Sequence, residues 1–124
     1  MRRPLLAGNW KMYKGPIETT EFIREFIPLV KGVEDRDILL CAPFIDLYCA
    51  TLESEHTNIQ IGAQNAHWEK EGAFTGEISM SMLRGIQCPW VLIGHSERRQ
   101  YFAETNETTN LKVKSAFAHE IFPI

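Results

Sequence analysis

No stretch of this 124-residue chain approaches the roughly 20 consecutive apolar residues that cross a bilayer as a helix, so no membrane span is expected. Only Leu5-Leu6-Ala7 separates Arg2-Arg3 from Gly8-Asn9, too brief for the apolar core of a secretory signal. Cysteine is scarce. Cys41, Cys49 and Cys88 form neither a CxxC pair nor a zinc-type spacing, and their odd number fits reduced, buried thiols of a cytoplasmic protein better than a disulfide framework. His56, His67 and His119 show no ligand spacing and no strand-end position, so no metal is expected. Excess charge is small as well. A net charge of -3, with the two signs interspersed, argues against nucleic acid or a membrane surface as partner, and any anionic ligand must be held by local charge. Internal repeats, low-complexity tracts and linkers are absent, so residues 1–124 read as one unit.

What the chain does contain is an alternation. Short apolar runs recur at Leu5 to Ala7, Ile38 to Ala42, Ile59 to Ala63 and Trp90 to Ile93, without the two-residue period of a half-exposed strand; they read as strands covered on both faces. Helical spacing fills the intervals. Gly15-Pro16 opens a segment with Phe22, Ile23, Phe26, Ile27 and Val30 on one stripe. Asp46 is placed to cap a second helix through Leu47, Ala50 and Leu52, and Ser79 a third through Met82 and Leu83. A helical turn or two follows His95 as far as Phe102, then a longer helix from about Thr105 to His119, and Pro123 marks the start of a further strand. Four such alternations give right-handed βαβ units and a parallel sheet, an α/β fold. Periodicity alone is compatible with both a closed barrel and an open doubly wound sheet.

Two polar segments lie just past strand ends, where both architectures build their sites. In Ile93-Gly94-His95-Ser96-Glu97-Arg98-Arg99 an apolar run delivers a histidine into a polar turn, and in Ala7-Gly8-Asn9-Trp10-Lys11-Met12 another delivers an amide and an ammonium. With Gly62-Ala63-Gln64-Asn65 and Gly72-Ala73-Phe74-Thr75-Gly76-Glu77-Ile78, these make four motifs that resemble the triosephosphate isomerase family in order and in spacing. The resemblance covers essentially the whole chain. It selects the barrel: the N-terminal half of a (β/α)8 TIM barrel, about four βα units plus the start of a fifth strand. It also places a helix-capping glycine where Glu120 stands here.

The activity implied is the cofactor-free and metal-free interconversion of dihydroxyacetone phosphate and glyceraldehyde 3-phosphate through an enediolate, a step of glycolysis and gluconeogenesis. By resemblance the catalytic residues are His95, Lys11 and Asn9. His95 would be the electrophile that hydrogen-bonds the substrate oxygens; that it works as a neutral imidazole is a known property of this family and no deduction from spacing. Asn9 and Lys11 would bind the substrate, a carboxamide donor and an ammonium against phosphate and enediolate charge. Glu97 would support the site as the ion-pair partner of Lys11, and Ser96 would hold the general base at rest. The loop carrying Phe74, Thr75, Gly76 and Glu77 would contact the second subunit of a homodimer, with Thr75 reaching toward the partner's site. Arg98, Arg99 and Glu104 would order the loops and the subunit contact.

A complete eight-fold barrel takes about 250 residues. The family's general-base glutamate, its lid and its phosphate-binding loops fall beyond the matching motifs, so the chain alone is expected to be inactive and, with open sheet edges, to associate. Leu6, Leu40, Ile61 and Leu92 are the residues expected to line the barrel interior. The alternative is a non-catalytic half-barrel serving as an assembly or interaction module.

Overall fold

The computed structural model describes residues 2–124. Its order is β1 (Leu5–Asn9), α1 (Pro16–Val30), β2 (Asp37–Ala42), α2 (Phe44–Ser54), β3 (Ile59–Ala63), α3 (Met80–Gly85), β4 (Trp90–Val91), α4 (Ser96–Tyr101), α5 (Asn106–Ala118) and β5 (Phe122–Pro123). The strands form one sheet in sequence order, every neighbouring pair parallel. Sequential order with a helical crossover in each connection curls the sheet into half of a barrel.

Helix ends follow local chemistry. Pro16 begins α1 where a missing N–H costs nothing, and the Glu18 carboxylate accepts a hydrogen bond from Gly15 N at 3.1 Å. Ser79 caps α3 by accepting from Met82 N at 3.1 Å, as expected. Thr105 and Thr108 satisfy each other's backbone N–H groups at the start of α5. Asp46 departs from expectation. Pro43, with a helix-compatible φ, is the residue before α2, which starts at Phe44, so Asp46 lies inside the first turn, fully buried, with neither carboxylate oxygen hydrogen-bonded. Burial lifts its pKa above the usual carboxylate range.

The sheet's two faces differ from the assignment above. Ile38, Leu40, Ile59, Ile61, Ala63 and Val91 face the helices, packed with Ile23, Leu47, Met80, Leu83 and Ala116. Leu39, Cys41 and Leu92 form the concave side with Leu5 and Trp90. Leu40 and Ile61 therefore belong to the helix layer and not to the barrel interior; because both faces of a parallel strand are apolar, composition does not tell them apart. Leu6, in register with Ile38, likewise faces the helix side and not the interior, and it is 54% exposed because β1 has a neighbour on one side only. The concave layer is tight at Gly62. A Cβ there would stand 3.1 Å from both Cys41 Sγ and Trp90 Cβ, so a side chain would have to push its neighbours in β2 and β4 back by a few tenths of an ångström. All three cysteines are free thiols, and burial pushes Cys41 up to about 11 and Cys88 up to about 12, which keeps them unreactive.

Glu120 takes over the helix-ending role of a glycine at a cost. Its φ is +55, the left-handed conformation that a side chain disfavours by roughly 1–2 kcal/mol. Its exposed ion pair with Arg84, at 3.2 Å, offsets little of this. Glu120→Gly is accordingly expected to raise stability by about 0.5–1 kcal/mol after allowance for the freer unfolded chain, read as a higher urea midpoint with unchanged slope.

Candidate functional site

Four connections meet over the C-terminal ends of the strands: β1 to α1, β2 to α2, β3 to α3, and β4 to α4. They enclose a cleft of about 440 Å³ whose walls include Asn9, Lys11, Gln64, Glu77, His95 and Glu97. Residues 86 positions apart in the chain thus become neighbours because β1 and β4 end at the same rim.

Lys11 sits in the left-handed region, φ +57. The strain, on the order of 1–3 kcal/mol for a residue with a side chain, is held from both ends. Asn9 Oδ1 accepts from Lys11 N at 2.9 Å, and Gln64 Nε2 donates to the Lys11 carbonyl at 2.8 Å and to the Cys41 carbonyl at 3.0 Å. The side chain then crosses the cleft to Glu97, Nζ to Oε1 at 2.5 Å. That hydrogen bond holds Glu97 below the usual carboxylate range and lifts the Lys11 ammonium above the usual lysine range. The pair's contribution is present above the unfolded glutamate pKa of about 4.3 and is lost as pH falls through the depressed Glu97 value. At the other end it is intact below the unfolded lysine pKa of about 10.4 and is lost as pH rises through the raised Lys11 value. Both side chains are about half exposed, which keeps the effect small. Glu97→Gln is expected to flatten the acid limb of a plot of thermal midpoint against pH while leaving the midpoint near pH 7 little changed.

His95 is the residue before α4, and its ring takes the capping role. Nδ1 accepts from Glu97 N at 3.1 Å, so the proton of the neutral ring lies on Nε2. Nε2 is 3.4 Å from Asn9 Nδ2. Because Asn9 Oδ1 is committed to Lys11 N, two N–H donors converge without bonding each other, a geometry suited to one shared oxygen acceptor. The Lys11 ammonium is on the same wall. Ser96, the first residue of α4, is exposed and does not line the cleft.

The long connection after β3 folds back on itself. His67 N donates to Ile78 O at 2.7 Å, and the His67 ring is flanked by Trp68 and Phe74 at centroid distances of 4.1 and 4.4 Å. Phe74, Thr75, Gly76 and Glu77 are all exposed; Gly76 and Glu77 edge this chain's own cleft, whereas Thr75 does not. Met12, Phe44 and Phe102, 92%, 51% and 63% exposed, add an apolar margin to the cleft.

Two features escape a reading of the sequence. Gln64 has no obvious task in its motif, yet it is the tie between Lys11 and β2; a glutamine immediately after a strand end was the available signal. Beneath the cleft, Glu104 and Lys112 form a buried ion pair, with side chains 1% and 7% exposed. Lys112 Nζ also donates to Asn65 Oδ1 at 2.8 Å, and Arg98 Nε stands 3.4 Å from the second Glu104 oxygen. Among the described residues no group of three His, Cys, Asp or Glu side chains could hold a metal ion, and no helix is long and apolar enough to cross a membrane.

Comparison with known proteins agrees with this architecture. The family model for triosephosphate isomerase matches residues 4–124. Triosephosphate isomerase of Dictyoglomus turgidum is 57% identical over 124 residues, all of this chain and 50% of the relative, and that of Carboxydothermus hydrogenoformans is 52% identical over all of this chain and 49% of its own length. The chain thus spans about half the length of the curated relatives it matches. A crystal structure of triosephosphate isomerase from Bartonella henselae superposes with a TM-score of 0.91 and 33% identity, covering 98% of this chain and 50% of that one. Five parallel strands in sequence order are therefore the N-terminal half of a TIM barrel, and the chain that forms them belongs to the triosephosphate isomerase family.

Proposed function

We propose that this chain supplies the electrophilic and cationic part of a triosephosphate isomerase site, acting on dihydroxyacetone phosphate and glyceraldehyde 3-phosphate in glycolysis and gluconeogenesis, in the cytoplasm. The observation that carries the reading is the convergence of Asn9 Nδ2, His95 Nε2 and the Lys11 ammonium in one cleft. Abstraction of a proton from carbon beside a carbonyl places negative charge on oxygen. Donors aimed at that oxygen, and a cation near it, lower the barrier by binding the enediolate more tightly than the substrate. His95 and Asn9 are the donors, and His95, with its proton on the cleft-facing nitrogen, also relays it between the two oxygens. Lys11 neutralises phosphate and enediolate charge. Glu97 holds the ammonium in place and Ser96 positions a base residue at rest; both are supporting roles.

The chain's own carboxylates do not complete the reaction. Of the two on the cleft wall, Glu97 is locked to Lys11 and Glu77 lies on the exposed loop. Dihydroxyacetone phosphate added to the isolated chain is expected to shift the NMR signals of Asn9, Lys11 and His95 without isomerising. Signals that remain unmoved at millimolar ligand would refute the reading, and saturable turnover abolished by His95→Ala would show that a base is present after all.

As partner we propose a second copy: the exposed Phe74 to Glu77 loop of one subunit fits the apolar margin formed by Met12, Phe44 and Phe102 of the other. A homodimer would also bury the largest exposed side chains around the cleft. The open edge of β1, beside an apolar groove lined by Leu6, Phe26, Val30 and Val33, favours association as well. Light scattering on a sizing column should find dimers or larger species at micromolar concentration; a monomer there would refute this.

A further inference from the structure

We infer that Arg99 is a positioning residue for His95, holding the peptide plane that carries the imidazole; this rests on the isomerase reading only for the use to which that imidazole is put. The carbonyl of Gly94 and the N–H of His95 belong to one rigid peptide unit, so whatever fixes that oxygen fixes the direction in which the His95 backbone starts. Arg99 Nε donates to Gly94 O at 2.8 Å. The next peptide unit is held from the same residue, because Arg99 N donates to His95 O at 3.1 Å, beside Arg98 N at 3.0 Å. Both planes that flank His95 are thus tied to one arginine, by its side chain on one side and its backbone on the other.

The guanidinium is itself braced. Its other nitrogens reach the first turns of α5, Nη1 to Asn106 Oδ1 at 2.9 Å and Nη2 to Thr109 Oγ1 at 3.3 Å. This fork connects the strand-to-helix turn to a helix that packs elsewhere on the sheet, something a single ammonium could not do. Gly94 is shaped to admit it. At φ +70, a Cβ on Gly94 would meet Arg99 Nη2 and Thr109 Oγ1 at 3.0 Å, so the glycine both permits the turn and leaves room for the fork. On the strand side Ile93 N is bonded to Ile124 O at 2.9 Å, which leaves the turn between the anchored strand and α4 to the backbone of Gly94 and His95. Without the bond from Arg99 Nε, the Gly94–His95 peptide can turn against α4 through the His95 φ and ψ, and the His95 Cα–Cβ bond turns with it, taking the ring off Glu97 N and away from Asn9. Once Nδ1 no longer accepts from Glu97 N, nothing selects the tautomer with its proton on Nε2.

Nitrogen NMR of the whole chain tests this without substrate. In the wild type, a scalar coupling across the hydrogen bond between Arg99 Nε and the Gly94 carbonyl carbon is expected, together with a His95 ring in a single Nε2-protonated form; absence of the coupling overturns the proposal. In folded Arg99→Met the His95 signals should move to the average of two tautomers and the Glu97 amide should lose its protection from exchange. Lower stability with unchanged His95 signals would mean a merely structural role and overturn it. Should Arg99→Met not fold, Asn106→Ala/Thr109→Val cuts only the far ends of the fork: a weakened coupling and mixed tautomers support the proposal, and an unchanged ring overturns it. Loss of dihydroxyacetone phosphate binding with intact His95 signals would count against the isomerase reading alone.

Discussion

Glu104→Ala is expected to destabilise the chain by about 3–5 kcal/mol, the cost of stranding one member of a buried ion pair. Glu104 is nearly inaccessible and answers two cations, Lys112 in α5 and Arg98 in α4. Without it the Lys112 ammonium keeps only the Asn65 amide oxygen as partner. Replacing both charged groups, as in Glu104→Leu/Lys112→Met, removes the stranded charge and should cost clearly less than the single change, the excess being the unpaired Asn65 and Arg98. Urea unfolding of the three proteins decides it: a single variant within about 1 kcal/mol of wild type would show that water reaches Lys112 and that the pair is not truly buried. The consequence extends to the cleft, because Asn65 and Arg98 both line it. Loosening the pair loosens the two loops that the β3 and β4 strand ends project.

This pair also shows where the sequence stops being informative. Glu104 and Lys112 are eight residues apart, on either side of the start of α5, among other charged residues that are exposed. Nothing in their spacing separates them from a solvated surface; they are buried where Asn65 of the β3 to α3 connection and Arg98 of α4 close over them. The strands and helices were legible because apolar runs and helical stripes are properties of residue type, and α1, α3, α4 and α5 begin at or next to the residues whose capping chemistry announces them. The face that Leu40 or Leu92 presents was not legible, since both faces of these strands are apolar. Asp46 looked like a cap because its side chain is of the capping type, while Pro43, with a helix-compatible φ, set the real start. In the site, Asn9, Lys11 and His95 stood out through their motifs. The left-handed turn at Lys11 did not, for a lysine carries no mark of a positive φ; it is imposed by Asn9 and Gln64 from outside.

The largest expected effect concerns catalysis after completion of the barrel. Mixing this chain with a separately produced C-terminal half of a full-length relative should restore isomerase turnover in a coupled assay, because the sheet leaves β1 and β5 unpaired on their outer edges. His95→Ala in this chain should then lower the restored turnover by about 10²–10⁴, the range for a group that both donates to a developing oxyanion and transfers protons. Lys11→Met removes the cation and frees Glu97 to carry an unbalanced negative charge into the cleft, repelling an anionic substrate, so it should raise KM as well as lower kcat. Glu97→Gln separates support from chemistry. It keeps the shape and one acceptor for Lys11 but loses the charge, so its loss should be smaller than that of either catalytic variant. Restored activity that is indifferent to His95→Ala would remove the imidazole from the mechanism, and with it the reason for two donors to converge between Asn9 and His95. If neither His95→Ala nor Lys11→Met lowered the restored rate, the activity would come from the added half, and this chain would act as an assembly module only.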